Sequence, residues 1–79
     1  MARYYFHLHD YVDVPDPEGQ DLPDLAAAIA HAVQQARGLA GELIKETGRV
    51  VLSHRIDIED ADGAVLHTLR LADALSIEQ

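Results

Sequence analysis

The chain has no cysteine and no tryptophan, one phenylalanine, one methionine, and few basic residues. Without cysteine, neither a disulfide framework nor thiolate chemistry can contribute, and a reducing compartment fits. The six basic residues, Arg3, Arg37, Lys45, Arg49, Arg55 and Arg70, are scattered among fourteen acidic ones, for a formal charge of −8. Affinity for nucleic acid or anionic lipid rests on clustered Lys and Arg, so neither is expected as a partner. No run approaches the ~18 apolar residues of a membrane span. The N-terminus lacks the basic-then-apolar pattern of a signal peptide. The acidic balance favours solubility and would suit a basic partner or a cation.

What is present fits one small domain spanning residues 1–79. Hydrophobic residues make up 48% of the chain, enough for a packed core and too many for wholesale disorder. A domain of this size buries roughly 60–65% of its unfolded surface, so one thin core is available. A deep substrate cavity would compete with it.

Residues 3–9 alternate as a strand, with Tyr4, Phe6 and Leu8 on one face and Tyr5, His7 and His9 on the other. The first set should face the core. Residues 10–24 form an acidic loop punctuated by Pro15, Pro17, Gly19 and Pro23, with a short strand or an irregular path near Tyr11–Val14. Residues 24–47 predict a helix capped by Asp24 and ended by Gly48. Its core side carries Leu25, Ile29, Ala32, Val33, Ala36, Leu39, Ala40, Leu43 and Ile44, and its polar side His31. Residues 49–59 and 64–71 read as a hairpin around Asp60-Ala61-Asp62-Gly63. Leu52, His54, Ile56 and Ile58 should share the helix-facing side with Val65, His67, Leu69 and Leu71. A helical turn is expected in 72–79, with Leu75 closing the core. The expected fold is α+β: a three- or four-stranded antiparallel sheet with one long amphipathic helix on one face, in the order β-(β)-α-β-β.

Arg3-Tyr4-Tyr5-Phe6-His7, His9-Asp10, and the stretch Glu18-Gly19 with Asp21-Leu22-Pro23-Asp24-Leu25 resemble a family of short alphaproteobacterial proteins of unknown function. The similarity resumes at Ile58-Glu59-Asp60 and Gly63-Ala64-Val65-Leu66. The chain departs from that family at Tyr11, where glycine is common. The resemblance implies a bacterial cytoplasmic protein with an α+β layout, and it brings no activity. A fainter, fold-level similarity to antitoxin domains of the HicB type rests on a strand, an acidic loop and an alanine-rich helix.

Candidate chemistry is sparse. His7-x-His9 sets two imidazoles on one strand face, roughly 7 Å apart, a spacing that can ligate zinc, nickel or copper. The plainer reading is a polar sheet face. His54 and His67 should be near neighbours on adjacent strands at the core margin. Neither Gly19 nor Gly63 aligns as the glycine of a calcium loop, because the first position would be Val14 or Ile58. Gly38-x-x-Gly41 lies inside the helix and lacks the P-loop lysine. Ser53, His54 and Asp57 do not form a triad, since adjacent strand residues point to opposite faces. No catalytic residue is assigned and no cofactor is expected.

The sheet face away from the helix remains. Tyr5, His7, His9, Arg55, Leu66 and Arg70 would be its contact residues. The reading is a non-enzymatic binding module that uses the open sheet face or edge, with a protein partner or a homodimer. The alternative is a divalent-metal binder through His7 and His9. A small enzyme of unknown reaction ranks third.

Overall fold

A computed structural model describes residues 2–76. The first strand, β1 (Ala2–His9), sits inside the sheet. Two short strands of the acidic segment, β2 (Asp13–Val14) and β3 (Gln20–Leu22), run back along it. The long helix α1 (Leu25–Thr47) follows, then β4 (Arg55–Glu59), β5 (Val65–Arg70) and a single helical turn, α2 (Leu71–Ala74). Sheet order is β2-β1-β4-β5, with β3 also paired to β1 and every pairing antiparallel. The fold is α+β, as expected. The sheet has five strands rather than three or four, because the acidic segment contributes two of them.

The helix boundaries follow the capping chemistry. Asp24 accepts a hydrogen bond from the Ala27 N–H at 2.8 Å. Gly48 takes a left-handed φ of 71° and donates its N–H to the Ile44 carbonyl. The buried row of α1 is narrower than the expected stripe: Ala28, Ala32, Ala36 and Ala40 touch the sheet, while Leu25, Ile29, Val33 and Leu39 flank them half-buried. Alanines four apart let the backbone approach closely, and the larger residues straddle the contact. Burial ends at Ala40. The last turns overhang the sheet, which leaves Ile44 55% exposed instead of in the core.

Under α1 lie Tyr4, Phe6, Ile56, Ile58 and Leu69, closed at one end by Leu71 and Ala74. Ile58 and Leu71 are the largest fully buried side chains. Leu75 packs partly buried against this cluster. The expected helical turn is confined to Leu71–Ala74, and residues 77–79 of that expectation lie outside the described residues. Among the described residues, no helix is long and apolar enough to cross a membrane.

The hairpin corrects three expectations. First, β4 begins at Arg55, not at residue 49. The chain leaves the overhanging helix end and turns through Leu52–Ser53, where the His54 N–H reaches the Val51 carbonyl at 3.2 Å. Leu52 is consequently exposed. Second, Ile56 pairs with Leu69 and Ile58 with His67. His54 lies four residues further along, ~13 Å away at strand rise, so His54 and His67 are not neighbours. Third, the register slips between Ile58 and Glu59, and Val65 comes to stand opposite Glu59. Val65 therefore leaves the core and is 54% exposed. The turn itself is as expected. The Asp60 carboxylate accepts from the Asp62 and Ala64 N–H groups, and Gly63 supplies a φ of 85°.

Candidate functional site

One face of the sheet is left uncovered by α1, and its side chains interlock. Tyr5, His7 and His9 of β1 lie beside Arg55, Asp57 and Glu59 of β4, with Thr68 and Arg70 of β5 beyond. Asp57 is the centre. Its carboxylate accepts from the Thr68 hydroxyl at 2.8 Å, lies 3.1 Å from His9 Nε2, and is 3.6 Å from Arg55 Nε. That ring of neighbours leaves Asp57 only 9% exposed on a face open to water. The other His9 nitrogen, Nδ1, is 2.7 Å from Asp13. His7 Nδ1 accepts the Asp16 N–H at 3.0 Å, its Nε2 lies 3.6 Å from Glu59, and its ring stacks on Tyr5.

These contacts bear on the metal alternative. The ring nitrogens of His7 and His9 already face protein partners. No group of three or more His, Asp or Glu among the described residues could hold a metal ion. Nor are Ser53, His54 and Asp57 brought together. Ser53 sits in the turn, and Asp57 is engaged on the uncovered face. His54 is buried, its ring edge-on to Tyr11 at 4.8 Å and its Nδ1 without a partner. Tyr11 makes its bend without a positive φ.

Arg55 and Arg70 are the exception to this pairing. They face each other directly across the β4–β5 register, and like charges so placed oppose each other. Their carboxylate contacts are long, 3.6 Å from Arg55 to Asp57 and 3.7 Å from Arg70 to Asp73. A charge-assisted N–H···O bond is ~2.7–2.9 Å. Both guanidiniums are therefore under-used and exposed. Leu66, the remaining candidate contact, is 41% exposed at the register slip.

The sheet edges are less available than the face. The bond from the Leu71 N–H to the His54 carbonyl sets the ladder's phase. Leu69 and His67 then bond inward, while Thr68 and Arg70 turn their backbone groups outward. The Arg70 N–H is already taken by Asp73 at 3.1 Å. By the same alternation, Phe6 turns its N–H away from β4, and Asp16 Oδ2 accepts it at 3.2 Å. Asp16 Oδ1 accepts from the Glu18 and Gly19 N–H groups. One carboxylate thus fills the gap in the β1 edge between β2 and β3. Burial raises the Asp16 pKa, but the hydrogen bonds from Gly19, Phe6 and Glu18 and the nearby His7 outweigh it, and the net value falls below the ordinary carboxylate range.

A second feature lies on the helix side. Phe6, Leu8 and Ile56 floor an open cleft of about 250 Å³, walled by Gln35, Gly38 and Leu39 of α1. Past Phe6, Leu8 and Gln35 it continues into a space of about 420 Å³ between α1 and residues 14–20. His31 lines this part, its ring tilted on Phe6 with centroids 4.7 Å apart. The expectation that His31 belongs to the polar side of the helix is thus corrected: the residue is half-buried. Sequence reasoning missed the cleft, the central place of Asp57 and the plugging role of Asp16. Only the last had a local signal, Asp16 two and three residues before Glu18 and Gly19, the spacing of an Asx-turn.

The residues that carry these contacts in β1 and the acidic segment fall within a recognisable sequence family. A protein-family model described as Domain of unknown function (DUF6894) matches residues 3–72. The chain belongs to that family. The DUF6894 match begins at the second residue of β1, covers β2 to β5 whole and ends inside α2. No curated protein and no solved structure matches the chain.

Proposed function

We propose that this DUF6894 protein is a non-enzymatic binding module in the cytoplasm, and that it holds an acidic segment of a partner protein against its uncovered sheet face. One observation carries the reading: Arg55 and Arg70 stand opposite each other, exposed and weakly paired, in a chain of net charge −8. A carboxylate placed between two guanidiniums relieves their repulsion and completes their hydrogen bonds. Tyr5, His7 and His9 border the spot and Leu66 adds apolar surface, the mixture found in moderate protein interfaces. The face is favoured over the edge because Asp73 and the register slip blunt β5. A second copy of the chain is the alternative partner.

The test is retention of proteins from a native lysate on the immobilised chain, beside the variant carrying Arg55→Ser and Arg70→Ser. The expected outcome is a partner held by the wild type, released by salt and lost by the variant. Identical retention by both proteins refutes the reading. Light scattering across concentrations checks the second-copy version, which requires a dimer that the same variant dissolves.

A further inference from the structure

We propose that the cleft between α1 and residues 14–20 is a separate binding site, and that it takes a small amphiphilic amine, with the apolar part on Phe6, Leu8 and Ile56 and the cationic head toward Glu18 and Asp16. The site is independent of the Arg55–Arg70 face, being on the opposite side of the sheet.

Three observations converge on it. The first is shape. α1 lies over β4, β5 and α2, so the β1 side of the core is roofed by side chains and by the acidic segment, with an open channel between them. Its two parts share Phe6, Leu8 and Gln35, and together they reach the ~300–1,000 Å³ of small-molecule sites.

The second is Gly38. A mid-helix glycine costs roughly 0.5–1 kcal/mol relative to alanine, and a Cβ built there meets nothing within 4 Å. Packing inside the chain therefore does not require the missing side chain. Gly38 lines the cleft, and its bare backbone widens it for something outside the chain. Gly41 has equally open surroundings but lines no part of the cleft.

The third is charge. Asp16 and Glu18 line the wide end, and among the described residues no Lys or Arg lines either part. Three N–H donors keep Asp16 ionised. The Glu18 carboxylate has no hydrogen-bond partner among the described residues, and its one cationic neighbour, Arg3, directs its guanidinium to Asp21 and to the Glu18 carbonyl. An anionic amphiphile of the same shape would be repelled, and a neutral one would leave the acidic end unanswered.

Titration of the isotopically labelled protein with hexylammonium, hexanoate and hexanol, followed by amide chemical shifts, tests this. The expected result is saturable binding of hexylammonium alone, with shifts centred on Phe6, Leu8, Gln35 and Gly38. Glu18→Gln should weaken it roughly two- to fivefold, the worth of one exposed ion pair. Gly38→Leu, which fills the cleft and favours the helix, should abolish it while the circular dichroism stays native. Absence of saturable binding overturns the proposal. So does equal binding of the three probes, or shifts centred elsewhere in the wild type, a readout that stands even if Gly38→Leu disturbs α1.

Discussion

The two flanks of the sheet are held by different physics. On the β4–β5 side, Ile56, Ile58, Leu69 and Leu71 are buried under α1 and α2, and apolar contact does most of the holding. On the β1 side, residues 10–24 expose nearly every side chain. They are fixed by Asp16 on three backbone N–H groups, by Arg3 clamping Asp21 and the Glu18 carbonyl, and by Asp24 on the helix end. Apolar burial is non-directional and shared among neighbours, so losing part of it weakens the whole domain. Hydrogen bonds to a carboxylate are directional and local, so losing them frees one segment. The first flank should unfold globally and the second should open by itself.

The largest expected effect falls on the apolar flank. Ile58→Ala, at a site with no exposure, should cost about 2–5 kcal/mol. Denaturant titration should show it, with hydrogen exchange accelerated in α1, β4 and β1 alike. Acceleration confined to β4 would break the comparison.

Gly19 comes next. Its φ is 69°, and a Cβ there would lie 2.8 Å from the Tyr5 ring and 2.9 Å from the Tyr4 carbonyl. Gly19→Ala combines left-handed strain with overpacking, at about 2–4 kcal/mol. Its hydrogen exchange should rise first in residues 13–22, ahead of β4 and β5. A uniform rise would erase the distinction between the flanks.

Asp16→Asn should cost about 1–3 kcal/mol, because an amide nitrogen cannot accept the Phe6 N–H. The acid response sharpens the point. Asp16 has a folded pKa below its unfolded value, so its contribution is fully present above about pH 4. It is lost as pH falls through the folded value. Stability measured from pH 5 to pH 2 should therefore fall less steeply in Asp16→Asn than in the wild type. Parallel curves would remove Asp16 as the acid-labile staple.

The residues that carry the family resemblance acquire a physical meaning here. Arg3 binds Asp21, Gly19 is the position where a side chain has neither φ nor space, Leu22 packs on the core, and Asp24 caps α1 behind Pro23. His7 accepts the N–H of Asp16. That pattern describes how a loop is tied to a strand, which explains how so specific a motif can announce no chemistry. Of the surfaces proposed for binding, Arg55 with Arg70 lies outside its most specific stretch, while the cleft borrows Glu18 and Gly19 from it at its wide end.

Legibility followed the range of the interactions. The helix from Leu25 to Thr47, its Asp24 and Gly48 caps, the Asp60–Gly63 turn and the helix-facing set of Tyr4, Phe6, Ile56 and Ile58 were all readable. Each depends on residues a few positions apart. Leu52, Ile44, Val65 and His31 were misplaced because their surroundings depend on where the helix ends relative to the sheet and where the register slips. Tyr5, His7, His9 and Arg55 do share a face, but alternation gave no hint that Asp57 would join His9, Arg55 and Thr68.

The sequence by itself determined the long helix with its caps, the hairpin turn, and the side that β1 and β4 turn to the helix, since periodicity and capping are properties of neighbours along the chain. Tertiary structure decided that Asp16 closes a sheet edge, that two arginines meet across strands, and that Gly38 opens onto a cleft. Those outcomes need partners eight or more residues away, and no local pattern encodes how distant segments come to lie beside one another.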